Sequence, residues 1–237
     1  MICNDLNKEK GGHMKNEFAI GSIARTNEKI SKKQSLFSLL KRRKGAPLFF
    51  ARTISGHERI YDSEIEFLRE NKCNILLVYR GLKKNYVLSK DGYTDAVGAA
   101  ICAQEVGASP FTKIAIFAKI EPDWNINLRW MSSYVEWLLK LGYVPGFICS
   151  EEMYNSINKV YVQDELLRWV KPATSDPRVS FMLFDCKKKK RGKELKNNID
   201  LKIRTKIKIN NTNIDVIEVV NKRILKNLWD GEQIFRR

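Results

Sequence analysis

Four stretches of this chain are apolar without interruption, and amphipathic stretches separate them. Pro47–Thr53, Asn74–Tyr79, Ile114–Ile120 and Tyr143–Cys149 read as strands. A continuous apolar run, as opposed to an alternating one, fits a strand buried on both faces, as in a parallel sheet covered by helices. Between the runs the period becomes helical. Ser63 and Glu66 form a capping pair ahead of a helix with Ile65 and Leu68 on one face. Asp95–Val106 is a helix of small residues, ended by Gly107. Leu128–Leu141 carries Trp130, Tyr134, Leu138 and Leu141 on one stripe, and Gly142 stops it. Strand and helix alternate, which predicts a parallel sheet with right-handed crossovers. Phe18–Ala24 reads as an earlier strand and Ser35–Lys44 as the helix leading to Pro47.

Beyond residue 150 the pattern is weaker. Val162–Val170 reads as a helix and Val179–Phe184 as a strand. Lys187–Lys193 is a charge run expected to form an exposed loop. Leu201–Ile209 alternates apolar and basic residues, as an edge strand with one protected face does. Ile214–Val220 is a last apolar strand containing Asp215. There is no internal repeat.

Composition narrows the function classes. The 237 residues are 43% hydrophobic, enough for one large α/β domain or two small ones. No apolar run approaches the ~20 residues of a membrane span. The first sixteen residues are polar and lack the apolar centre of a secretory signal, so a cytoplasmic location is expected, with a partner-dependent route as the way out. The five scattered cysteines include no C-x-x-C pair and read as reduced thiols. With two histidines, neither near a cysteine pair, no metal site is expected, and no cofactor.

The net charge of +16 is uneven: +7 over residues 1–45, −1 over 46–186 and +10 over 187–237. Basic flanks point to a polyanionic surface or nucleic acid as partner. They lack interleaved aromatics of the kind that stack on bases, which favours a solvated, lysine-rich surface. Gly11-Gly12 can be encoded by a purine-rich, ribosome-binding-like sequence just ahead of the Met14 codon. Translation is therefore expected to start at Met14, which the intact mass of the native protein checks. Residues 1–16 are expected to be a leader, 17–222 the folded barrel with an exposed basic loop at 187–198, and 223–237 a basic C-terminal segment.

The order of these pieces resembles the glycoside-hydrolase-like barrel family once called domain of unknown function 1906, which is itself similar to the family 25 lysozymes. Six features carry the resemblance, and they cover residues 46–150 best. Phe49-Phe50-Ala51-Arg52 is the strand ending in an arginine, and Tyr79 ends the next strand. Gly92-Tyr93-Thr94-Asp95-Ala96 opens a helix, and Ile116–Glu121 is a strand ending in an acid. Gly142-Tyr143-Val144-Pro145-Gly146-Phe147 matches the family's Gly-Tyr strand, and Ile214-Asp215 its last. The resemblance implies an α/β fold of the (β/α)8 TIM-barrel type, irregular or incomplete in the C-terminal third, acting on a peptidoglycan-like glycan. This chain departs from the pattern at three points. Thr53 follows Arg52 where the family's strand ends in an Arg-Tyr pair. Ile20-Gly21-Ser22 has no acid where the family's first strand carries Asp, and Lys119-Ile120-Glu121 stands where the lysozymes carry Asp-x-Glu.

Glycoside hydrolysis usually needs two carboxyl groups, one with its pKa raised so that it can protonate the leaving oxygen. Glu121, at a strand tip, is the candidate general acid. Residues i and i+2 on a strand share a face, so Lys119 should pair with it and oppose that role. Asp123, Asp185 and Asp215 are the candidates for the second carboxylate. Arg52, Tyr79, Lys119, Asp123 and Trp124 are candidate substrate contacts, with Trp124 able to stack on a sugar ring. For Arg52 the competing expectation is a buried ion pair with a nearby acid; Trp130 is expected in the core. No glycine-rich phosphate loop is present. His57 alone could serve a nucleophile, and it reads as a loop residue. The expected function is a degenerate barrel that binds a glycan at the C-terminal mouth. The alternatives are a working muramidase-like hydrolase using Glu121, and a basic adaptor for nucleic acid or an anionic surface.

Overall fold

The structure, a computed structural model, describes residues 18–21, 29–31, 34–88, 91–163, 176–184, 199–209 and 212–232. The leader, Asp185, the 187–198 loop and the 164–170 part of the expected helix lie outside these residues.

Strands β1 (Phe18–Gly21) and the small β2–β3 ladder (Lys29–Ser31, Gln34–Ser35) precede α1 (Leu36–Lys44). A strand–helix alternation follows: β4 (Phe49–Thr53), α2 (Asp62–Glu70), β5 (Asn74–Tyr79), the short α3 (Lys84–Val87), α4 (Tyr93–Glu105), β6 (Ala115–Lys119), α5 (Leu128–Lys140), β7 (Val144–Ser150) and α6 (Glu151–Gln163). Then come β8 (Ser180–Phe184), β9 (Ile199–Ile209) and β10 (Thr212–Val219). From β4 to β9 every neighbouring pair is parallel. The β9–β10 and β10–β1 pairs are antiparallel, and β1 returns to β4 through a parallel register of two residue pairs, Ile20 with Phe50 and Gly21 with Ala51. The strand order β1-β10-β9-β8-β7-β6-β5-β4 therefore comes back on itself.

This is an α/β fold with a curled, mostly parallel sheet and helices outside it. It is an incomplete TIM-like barrel and not the full (β/α)8 form. A hairpin and a four-residue strand stand where a regular barrel would continue its strand–helix units.

The continuous apolar runs have the predicted cause. Alternate residues face two separate cores. Phe50, Ile75, Leu77, Ile116 and Phe147 pack against the helices, whereas Phe49, Leu76, Val78, Phe117 and Met182 fill the barrel interior. Gly146 is needed where β7 crosses β6, because a Cβ there would stand 2.7 Å from the Phe117 ring. On α5, Trp130, Tyr134 and Leu138 are fully buried, as their stripe predicts.

Three expectations are corrected. Ser63 lies inside α2, whose N-cap is Tyr61 with no side-chain bond; the backbone turn from Tyr61 starts the helix, and Asp62 and Glu64 supply acid to its first turn. The sequence pattern predicts no helix directly after β7, where α6 (Glu151–Gln163) stands; of the expected Val162–Val170 helix only residues 162 and 163 are described, and they belong to α6. The Leu201–Ile209 segment is no edge strand: β9 lies between β8 and β10. Its alternation is broken where the register passes from Ile203 opposite Ile217 to Thr205 opposite Val216, skipping residue 204 as a bulge does.

The N-terminal end of the barrel is plugged. A 3-10 turn at Lys222–Asn227 drops Ile224 into the interior core, and Trp229 makes a two-way backbone bridge with Ile75 (2.7 and 2.9 Å). Arg223 holds the plug in place. It donates to both Asp200 carboxylate oxygens (2.7 and 3.0 Å) and to the Pro177 and Val179 carbonyls.

Candidate functional site at the barrel mouth

With one end plugged, the opening is at the C-terminal ends of the parallel strands, where barrel enzymes hold their chemistry. A cavity of about 150 Å³ lies there. Ala51, Val78, Ile148, Met182, Ile203 and Ile217 form its apolar floor; all but Ile203, which packs against it, belong to the interior core. Four polar side chains complete the wall: Thr53, Arg80, Lys119 and Asp215. Each is two residues beyond an interior-facing position of its own strand, or two before one: Ala51, Val78, Phe117 and Ile217. The strand period thus delivers them to the same mouth.

Arg80 and Lys119 end neighbouring strands, next in register after Tyr79 and Ala118. Lys119 Nζ donates to Glu121 Oε1 at 2.8 Å, and Arg80 Nη1 donates to Glu58 Oε2 at 3.2 Å. Asp215 comes from β10, four strands from β6 by either way round the ring. It stands in register with Gly21, in the region where the resembled family carries its first-strand acid.

Of the eight candidate residues, the mouth brings together Lys119 and Asp215, with Glu121 joined to the rim through Lys119. Arg52 and Tyr79 lie on the other face of their strands. Arg52 and Glu64 are each 1% exposed and form a two-pronged ion pair, Nε to Oε1 at 2.8 Å and Nη2 to Oε2 at 3.0 Å, under α2. Tyr79 is buried against α4, where the hydroxyl lies so close to Gly98 that a Cβ there would meet it at 2.9 Å. Burial pushes its phenol up to about 12. Asp123 is exposed and pairs with Lys84 at 2.9 Å; that hydrogen bond holds its carboxyl below the usual range. Trp124 packs half-buried on the core beneath the helices. Asp185 lies outside the described residues. Among the described residues, no cluster of three or more metal-ligating side chains occurs, and no helix is long and apolar enough to cross a membrane.

The Gly-x-x-Asp-Ala match is a packing device. A Cβ on Gly92 would stand 2.4 Å from backbone atoms of Trp130 and Tyr134, so glycine lets α4 and α5 approach. Asp95 accepts the Trp130 indole N–H at 2.8 Å. Reasoning from the sequence missed Thr53 and Arg80. The signal was available: each is two positions past a barrel-facing residue at a strand end.

No known family's sequence profile matches the chain, and no curated protein matches it. Solved structures do. An uncharacterized protein of B. stearothermophilus shares 16% identity with a TM-score of 0.67, over 90% of this chain and 99% of that one. A Tat-secreted protein of Mycobacterium tuberculosis shares 16% with a TM-score of 0.56, over 90% and 98%. A glycosyl hydrolase 25 of Streptococcus pneumoniae, described as a virulence factor participating in host cell invasion, shares 14% with a TM-score of 0.51, over 91% and 93%. At these identities the likeness is one of fold alone: the chain's fold is weakly similar to that of a glycosyl hydrolase 25 protein.

Proposed function

We propose that this chain is a glycoside-hydrolase-like barrel that binds a glycan at its mouth without cleaving it. The order of its motifs, as in the domain of unknown function 1906 type, and the weak similarity of its fold to that of a glycosyl hydrolase 25 protein support the glycan. The 2.8 Å Lys119–Glu121 pair supports the loss of hydrolysis. Lys119 Nζ already donates to Glu121 Oε1, so that oxygen is engaged within the protein and is not aimed at a leaving group. Lys119 also takes the place of the acid that would partner Glu121. Asp215 then serves as a hydroxyl acceptor. A peptidoglycan-like ligand lies outside the cell, so this reading requires that the chain be exported or released by lysis.

The test is release of soluble sugar from purified bacterial wall and chitin oligomers, wild type beside Glu121→Gln, with binding measured on the same material. Saturable binding with no release by either protein is expected. Release by wild type that Glu121→Gln abolishes would establish a hydrolase instead. Binding to nucleic acid alone, with a steep salt slope, would favour the basic-adaptor reading.

A further inference from the structure

We propose that the unit received at the mouth is an acidic sugar, its carboxylate seated between Arg80 and Lys119 and a ring hydroxyl donating to Asp215. This rests on the glycan-binding reading and narrows it to a chemical class. The wall of the cavity carries two cations and one carboxylate above an apolar floor. A neutral sugar needs acceptors as well as donors, and few polar groups suffice to orient it. Two cations side by side on adjacent strand ends instead form a receiver for an anion.

Both cations have donors to spare. Lys119 carries three N–H donors and Arg80 five in a planar fork. Among the described residues, each side chain has one carboxylate partner, Glu121 for Lys119 and Glu58 for Arg80. Arg80 meets Glu58 through Nη1, which leaves the Nε–Nη2 edge of the fork for a two-pronged contact with a carboxylate. Neither existing pair opposes a ligand strongly. The side chains are 30% and 37% exposed in one and 35% and 51% in the other. Pairs so open to water contribute little to stability, so a ligand carboxylate can share or displace them.

Position is fixed from below. The Arg80 backbone N–H donates to Ser55 Oγ at 2.8 Å, and Lys119 stands on a strand hydrogen-bonded on both sides. The cavity is small, so it takes the carboxyl end of one sugar unit, with the rest of the glycan lying across the rim.

Calorimetric titration of the full chain tests this with a matched pair of probes, hyaluronan tetrasaccharide and its carboxyl-reduced counterpart. Wild type should bind the acidic probe at least about tenfold more tightly, as expected for a charge-assisted hydrogen-bonded contact. Arg80→Gln and Lys119→Met should each weaken that binding about tenfold or more, with melting temperatures near wild type. Lys140→Gln, on the outer helix α5, controls for the overall positive charge and should change nothing. Equal binding of both probes would overturn the acidic-sugar inference and leave the glycan reading standing. A loss in Lys140→Gln as large as in the mouth variants, or no loss in the mouth variants, would overturn the assignment to Arg80 and Lys119. Binding of neither probe would bring down both the inference and the reading beneath it.

Discussion

The Arg52–Glu64 pair separates a structural from a functional role for an arginine that the strand pattern places at a barrel rim. Both side chains are 1% exposed, and two contacts of 2.8 and 3.0 Å join them, so solvent screening offers no discount. Removing one charge from such a pair costs about 3–5 kcal/mol, chiefly because the other charge is left buried without its counter-ion. Glu64→Gln keeps the shape and one acceptor, which puts it at the low end, about 3 kcal/mol. For a domain of this size each kcal/mol moves the midpoint by about 2–4 °C, so Tm should fall by about 6–12 °C. The double variant Arg52→Met, Glu64→Leu removes both charges and fills the same space, and should return to within about 1 kcal/mol of wild type. Urea unfolding followed by tryptophan fluorescence and far-UV circular dichroism, with coincident transitions, measures all three proteins. Glu64→Gln within about 0.5 kcal/mol of wild type would refute a closed, dry pair. Loss of ligand binding in the double variant at wild-type stability would return Arg52 to the mouth.

Three more outcomes follow from described contacts. Gly146→Ala should lose about 1–3 kcal/mol, since its Cβ would overlap the Phe117 ring in the barrel interior; unchanged denaturant midpoints would show that the ring can move aside. Burial pushes the Asp95 carboxyl up against the Trp130 hydrogen bond that pulls it down, with Asp91 adding to the rise. Its contribution to stability is therefore full below the unfolded value of about 3.9 and lost as pH rises through the folded one. The stability of Asp95→Asn relative to wild type should improve from about pH 4 to about pH 7, and a flat difference would contradict the shift. Burial pushes the Cys73 thiol up to about 12 and Cys149 is fully buried, whereas Cys102 is partly exposed. Mass mapping after brief iodoacetamide treatment of the native protein should find Cys102 labelled ahead of both, and prior labelling of Cys73 would mean that its site opens.

The inner strands were legible because a buried parallel strand carries its own signature. Asn74–Tyr79 is strand in the sequence and in the structure alike, and Leu128–Lys140 follows the predicted helix closely. Continuous apolar runs do not say which face is which, however. Arg52 and Tyr79 sit at strand ends and read as rim residues, yet their parity matches Phe50 and Leu77, which face the helices. Arg80 was overlooked although it shares parity with Val78, which faces the barrel. Parity is visible in a sequence only after one residue of a strand has been assigned to a side, and that assignment comes from packing. The C-terminal third was harder for another reason. The basic alternation of β9 resembles a solvated edge, but it arises on a strand flanked on both sides and interrupted by a bulge. The Lys119–Glu121 pair was legible, because i and i+2 on one strand leave little freedom.

The plug and the seam have a consequence for how the molecule is made. The interior core closes only when Ile224 has docked, Trp229 joins the helix-side core and bridges to Ile75, and β4 finds its outer neighbour only when β1 is held there by β10. These contacts join residues separated by most of the sequence, so the ordering of the whole ring waits on closures of high entropic cost. During synthesis β1 and the parallel strands emerge first, and β10 and the plug, which hold β1 in place and close the bottom, emerge last. A nascent chain halted before Thr212 lacks both the plug and β10 and leaves the outer edge of β9 uncovered, which is a form that chaperones and proteases recognise.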